Sequence, residues 1–140
     1  MSELQRFGVS IPADLLQRFD DEILAKGYCN RSEAFRDLIR EYLIRKDIDS
    51  NQEVVGTLTL IYDHHVHDLS DKLNHVQHKH HKIILSNLHI HLDTRNCLEV
   101  ILLKGKCSDI EKLSNTIIGT RGVKHGKLTF TSTGKNLPGD

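Results

Sequence analysis

The chain has 140 residues, no tryptophan, 19 Lys and Arg against 19 Asp and Glu, and ten histidines, so its formal charge is zero with the histidines neutral. A neutral chain has no diffuse electrostatic hold on nucleic acid or membrane, and any DNA contact must come from individually placed residues. Three cysteines, odd in number and far apart, exclude a disulfide framework; no apolar run approaches membrane-spanning length, and the N-terminal MSELQRFGVS lacks the apolar core of a signal peptide. The expectation is a cytoplasmic protein with reduced thiols and no membrane partner.

At the N-terminus, Arg6 to Ile11 alternates, with Phe7, Val9 and Ile11 on one face and Arg6, Gly8 and Ser10 on the other, the pattern of a short strand. Pro12 can open a helix whose stripe is Leu15, Leu16, Phe19, Ile23 and Leu24, closed at Gly27. Asn30-Arg31-Ser32-Glu33 starts a second helix, with Asn30 as cap and Glu33 placed to return the hydrogen bond. Its stripe runs from Ala34 to Leu43. A strand and two helices in some 45 residues cannot bury a core, and a lone strand needs a partner. The economical solution is a dimer in which two such strands pair.

The polar stretch 48–53 reads as a linker after a first domain of residues 1–47. Beyond it, Val54 to Tyr62 reads as a strand, His67 to about Lys82 as a helix, Ile83 to Leu92 and Cys97 to Lys104 as a hairpin. Ser108 onward gives a helix, Val123 to Thr131 a last strand, and the polar residues 133–140 a loose tail. The order β-α-β-β-α-β over residues 54–132 is the split, ferredoxin-like pattern, so the expected class is α+β.

The hairpin carries the chemistry. His89 and His91, two apart on a strand, share a face, with Leu88, Ile90 and Leu92 on the other. The turn-rich Asp93 to Asn96 folds the chain back so that Cys97 returns beside both imidazoles, and His78 lies upstream. Two nitrogens and a thiolate, without clustered carboxylates, argue against Ca²⁺ and Mg²⁺ and suit Zn, Cu or Ni; ligand type does not separate these three. The plain alternative is a pair of half-exposed polar histidines on a strand.

Arg6-Phe7-Gly8-Val9-Ser10-Ile11 together with Asn30-Arg31-Ser32-Glu33-Ala34 resembles a ribbon-helix-helix DNA-binding unit. His78, His89-x-His91 and Cys97-Leu98-Glu99-Val100, with Gly122-Val123-Lys124-His125-Gly126-Lys127-Leu128, resemble the metal domain of the nickel-responsive transcriptional regulator (NikR) family. The resemblance covers nearly the whole chain. It implies an N-terminal ribbon-helix-helix domain, a C-terminal ACT-type domain and a homotetramer built as a dimer of dimers. It also implies one Ni(II) per subunit in a planar site of His89, His91 and Cys97 with His78 of the partner subunit.

By the same resemblance, paired strands enter the major groove of a double-stranded operator with two separated half-sites, Arg6 and Ser10 meeting base edges. Gly8 departs from the family pattern, where a threonine-like side chain is common, and a glycine reads nothing. Asn30, Arg31 and Ser32 would hold a phosphate at a helix start, with simple capping as the alternative for Asn30. Glu33 and Asp37, one turn apart, match positions where the family places a second, hard cation; a solvated acidic pair is the alternative. The implied outcome is repression of nickel-uptake genes.

Other readings are a regulator responding to Cu, Zn or Co, a small-molecule sensor using the ACT interface, an antitoxin, and a metalloenzyme or carrier. A small-molecule sensor leaves the His and Cys set idle, an antitoxin does not continue into four strands, and no acid–base pair or nucleophile set suggests an enzyme. His64, His65 and His67 fall at a strand–helix junction. His75, His80 and His81 share or flank the His78 helix, where His75 and His78 at i, i+3 offer a low-affinity site. Glu99 is a candidate to orient a ligand, and Cys29 and Cys107 read as packing residues.

Overall fold

The structure, a computed structural model, describes residues 3–135 and 137. The chain separates between Arg45 and Lys46 into two compact units. Met1, Ser2, Asn136 and Pro138–Asp140, the last four in the expected loose tail, lie outside the described residues.

The first unit has two helices, α1 (Ala13–Ala25) and α2, which begins at Arg31 and runs to Asp49. Pro12 is the N-cap of α1 rather than its first residue, and its carbonyl accepts from the Leu16 amide at 3.0 Å. Gly27 ends the helix at φ +87, a left-handed position that suits glycine. Asn30 caps α2, its Oδ1 accepting from the Glu33 amide at 2.9 Å; among the described residues the returning bond from Glu33 does not form. Residues 3–11 are neither helix nor strand. The expected strand is thus absent, for a physical reason: a β-ladder needs a second strand, and no described segment of this chain supplies it.

Packing in this unit is thin. Ala34 is its buried apolar residue, α1 buries nothing, and Phe19 stacks on Phe35 at 5.2 Å between centroids. Phe7 (72%) and Val9 (58%), on the apolar face of the would-be strand, stay in water. A groove lined by Phe7, Val9, Ile11, Leu16, Phe35 and Ile39 opens beside them.

The second unit is a four-stranded antiparallel sheet ordered β2-β3-β1-β4, with strands β1 (Glu53–Asp63), β2 (Ile84–His91), β3 (Asn96–Lys106) and β4 (Val123–Ser132). Helix α3 (Leu69–Lys79) follows β1 and α4 (Cys107–Ile118) follows β3, completing the ferredoxin-like order. The stretch 48–53 is helical through Asp49, because Ile48 packs against this unit's core. Helix α3 is shorter than its polar sequence suggested: Asp68 stands at φ +63 before it, and His80 leaves helical geometry after it.

Period-two burial along β1 puts Val54, Leu58, Leu60 and Tyr62 in the core, joined by Ile101 and Leu103 of β3, Leu69 and Leu73 of α3, and Ile110 and Ile117 of α4. The opposite sheet face is open: Leu88, Ile90, Leu92 and Leu102 are exposed. At Gly126, opposite Leu60, a Cβ would overlap Ile118 Cγ1 and approach Leu60 Cδ2, so only glycine lets α4 lie this close to the sheet.

The β2–β3 turn is held by Asp93. Its Oδ1 accepts from the Arg95 and Asn96 amides at 2.8 Å each, and Asn96 Nδ2 donates to both carboxylate oxygens. The Asn96 side chain, then the two amides, bring the Asp93 carboxyl down to about 2.

Two outcomes follow from this packing. Gly126→Ala lowers unfolding free energy by about 1–3 kcal/mol through overpacking, measurable by denaturant titration. Asp93→Ala raises hydrogen exchange at the Arg95 and Asn96 amides roughly fivefold to tenfold, the scale of one lost hydrogen bond, with the fold retained. Because the folded-state pKa is depressed, the turn's contribution is complete above the ordinary carboxylate range and disappears as pH falls through about 2.

Candidate metal centre

The register of β2 on β3 builds this region. Leu85 is an extra residue between the Ile84↔Leu103 and Ser86↔Leu102 pairs, and beyond this bulge His89 stands opposite Glu99 and His91 opposite Cys97. Directly paired residues of an antiparallel ladder share a face. Both imidazoles therefore lie on the face of Cys97 and Glu99, as the alternation predicted.

Cys97 is fully buried, and its Sγ lies 3.4 Å from His91 Nδ1. The His89 and His91 rings are 5.3 Å apart. The donors that converge, however, are a ring nitrogen of His64, one of His91 and Cys97 Sγ, all within 4.8 Å of one another. His89 is engaged differently. Its Nε2 lies 3.4 Å from the Tyr62 hydroxyl, which donates to Glu99 Oε1 at 3.3 Å. A phenol has one proton, so the imidazole Nε2–H is the donor in the Tyr62–His89 contact.

His78 sits near the C-terminal end of α3, exposed, and is not part of the convergent trio. Gln77, immediately before it, is buried and donates from Nε2 to Glu99 Oε2, while its Oε1 accepts from Asn87 Nδ2 at 3.0 Å. Tyr62, Glu99 and Gln77 thus form a buried polar network that the exposed Asn87 extends, joining β1, β3, α3 and β2. Burial, then the Glu99 charge, pushes the Tyr62 phenol far above its ordinary range, so it stays a donor. Burial also pushes the Cys97 thiol up, with Asp63, Asp93 and Glu99 adding to the shift. An ion bound there must displace that proton.

Asp63 anchors the rim. Its Oδ1 accepts from the His65 amide at 2.9 Å, and its Oδ2 pairs with Arg95 at 3.0 Å. These hold the carboxyl below the usual range, the His65 amide first. The His64 amide donates to the Arg95 carbonyl, and His64 Nε2 bonds the Thr94 carbonyl at 2.7 Å. His64 is thereby fastened to the hairpin tip from β1's end.

The donor set of imidazoles and one buried thiol fits a borderline divalent ion such as nickel, zinc or copper. The sequence pattern did not disclose His64's part, because His64 and Cys97 are 33 positions apart and meet only through the Tyr62↔Cys97 register of β1 on β3. The network residues Tyr62, Gln77 and Asn87 carried no sequence signal either.

In the first unit Arg6, Gly8 and Ser10 are all exposed. Arg31 is engaged by Asp20 through two hydrogen bonds, at 2.9 and 2.7 Å, and Asn30 is the α2 cap, while Ser32 is exposed. Asp37 accepts from the Tyr28 hydroxyl at 2.7 Å and contacts Arg40 at 3.5 Å, which accounts for its carboxylate without a cation; Glu33 is exposed.

Residues 55–131 match the family described as the NikR C terminal nickel binding domain, and residues 5–46 match the ribbon-helix-helix proteins of the copG family. A protein of Geobacter sulfurreducens named "Putative nickel-responsive regulator" is 54% identical over 138 residues, 98% of this chain and 99% of its own. Proteins given the same name in Solibacter usitatus and Trichlorobacter lovleyi are 54% and 52% identical, over 98% and 94% of this chain and 99% and 96% of their own. No helix among the described residues is long and apolar enough to cross a membrane. With both halves matched and whole-length identity above one half, the chain belongs to the nickel-responsive regulator family, DNA-binding transcriptional regulators and not enzymes.

Proposed function

We propose that the protein represses nickel-uptake genes in the cytoplasm when each subunit holds one Ni(II) through His89, His91 and Cys97, with His78 of the partner subunit as fourth donor. The observation that carries this reading is the buried Cys97 thiol facing the His91 imidazole across the β2–β3 ladder, one pair away from His89. The exposed position of His78 on α3 supports its use by another copy, and a reducing compartment keeps the thiol available. Nickel supplies a preference for one ligand geometry; the chain's part is to place donors of two subunits at a shared point.

Apolar surface supports the assembly. Phe7, Val9 and the groove beside them need the corresponding ribbon of a second copy, which makes the DNA-binding dimer. The open sheet face of Leu88, Ile90, Leu92 and Leu102 supports pairing of metal domains, and the two together give a dimer of dimers. In that tetramer an ion clasped by two subunits favours one relative stance of the two ribbons. Affinity for an operator with two separated half-sites rises only as far as the ion prefers that stance.

In the ribbon, Arg6 reads guanine edges and Ser10 a neighbouring base, with Gly8 between them allowing close backbone approach. The α2 start, with Asn30, Arg31 and Ser32, holds a phosphate, Arg31 having first to leave Asp20 or to share its charge. A hard cation at Glu33 and Asp37 has to compete with Tyr28 and Arg40 for the Asp37 oxygens, and is the least supported part of the scheme.

Nickel titration with an operator fragment tests the scheme. Cys97→Ala abolishes nickel-dependent retardation, a loss of at least a hundredfold in apparent affinity, while the dimer stays folded by circular dichroism; unchanged nickel-dependent shifts overturn the site. Arg6→Ala costs about 1–3 kcal/mol on the specific operator and much less on random DNA, measured at fixed salt. An equal loss on both would assign Arg6 to the phosphate backbone.

A further inference from the structure

One side chain, Asn51, ends one helix and caps another. Lys46 to Asp49 are the last turn of α2, yet they belong to the second unit, where Ile48 packs against the core. The turn closes in the Schellman manner: the Asn51 amide donates to the Ile48 carbonyl at 3.1 Å and the Gln52 amide to the Asp47 carbonyl at 3.0 Å. Asn51 stands at φ +54, the left-handed position this closure needs, which glycine takes most readily and asparagine tolerates. Its side chain adds what a glycine could not. Oδ1 accepts at 2.9 Å from the amide of Ser108, the second residue of α4. Lys106, before that helix, makes no side-chain cap bond, so the cap comes from 57 positions away. The carbonyl end of α2 and the amide end of α4, opposite poles of two helix dipoles, meet on this one side chain.

We infer that Asn51 is a positioning residue for the nickel response: it clips the last turn of α2 to α4 and so fixes the direction in which α2 leaves the metal-binding unit. The inference rests on the proposed function, because a fixed exit matters only where one stance of two ribbons fits two half-sites. Burial of Ile48 holds the turn without aiming it, whereas a hydrogen bond is directional and supplies the aim. The chain is helical on both sides of the division at Arg45 and Lys46, so the joint is a helix turn and not a loose stretch at 48–53. With the clip open, the ion's preference for one arrangement is spread over several directions of α2. The operator with two half-sites then loses part of what that preference supplied. Binding to a single half-site does not depend on stance and keeps its strength.

The structural alternative is that Asn51 only ends α2. Asn51→Gly separates the two, since glycine keeps the left-handed turn and lacks the acceptor; Asn51→Asp restores an acceptor oxygen and serves as rescue. In the full-length protein without metal, Asn51→Gly raises hydrogen exchange at the Ser108 amide roughly fivefold to tenfold, the scale of a lost cap. With nickel, Asn51→Gly lowers affinity for a two-half-site operator roughly fivefold to tenfold. Affinity for a single half-site and the nickel titration of the thiolate absorbance stay within about twofold of wild type, as distant sites should. Asn51→Asp follows wild type in every arm. Wild-type exchange or wild-type operator affinity in Asn51→Gly overturns the inference. Equal loss on one half-site and on two overturns it as well, making Asn51 a general stabiliser, and so does a failure of Asn51→Asp to rescue. A wild-type protein whose operator binding ignores nickel sinks the functional reading itself, so the two failures are distinguishable.

Discussion

The antiparallel register of the three strands β2, β3 and β1 is the constraint on which the rest of the molecule depends. It sets His91 opposite Cys97 and His89 opposite Glu99, and on the other side sets Tyr62 opposite Cys97. A one-residue slip would turn every one of these side chains to the other sheet face. The register is secured by the alternating core residues of β1, which have a buried face to defend, and by the Asp93 turn, which fixes where the chain reverses. The Leu85 bulge adjusts the parity once, between those two controls. Metal chemistry here is a product of hydrophobic patterning and one carboxylate in a turn.

Beneath the imidazoles, Glu99 is a buried carboxylate, an expensive group unless its oxygens are satisfied. Tyr62, Gln77 and Asn87 satisfy them from three different elements. The network therefore does more than stabilise. Gln77 precedes His78 on α3, so the same bonds that hold Glu99 set how the end of α3 is presented, and Tyr62 bonds both Glu99 and His89. Any movement of His89 alters its contact with Tyr62, which bonds the same Glu99 that holds Gln77 of α3. Low local dielectric makes such linked bonds sensitive to each other's geometry.

Much of this was legible in the residues. Alternation in β1 and around His89-Ile90-His91, the Asn30 cap and the punctuation at Gly27 are local signals, each with a local physical cause, and they place the elements within a few residues. What escaped was non-local. Helix α2 continues through Ile48 and Asp49 because of packing that composition does not reveal, so a polar stretch looked like a linker. His64 approaches Cys97 only after β1 and β3 have paired, and Gln77 meets Glu99 only after α3 has folded onto the sheet. The N-terminal segment is the opposite case: its alternation is plain in the sequence, yet residues 3–11 form no strand, since a ladder needs a partner and no described segment of this chain supplies one.

That last point bears on how a small protein can respond to one ion. Among its described apolar residues the first unit buries one alanine, and the second leaves one sheet face apolar and open. Exposed apolar surfaces of this kind mark contact sites, and in the proposed assembly of several copies their burial ties the energy of the folded state to the energy of assembly. An ion added to such an assembly need not create order. It needs only to differ in its bonding between arrangements the apolar surfaces permit.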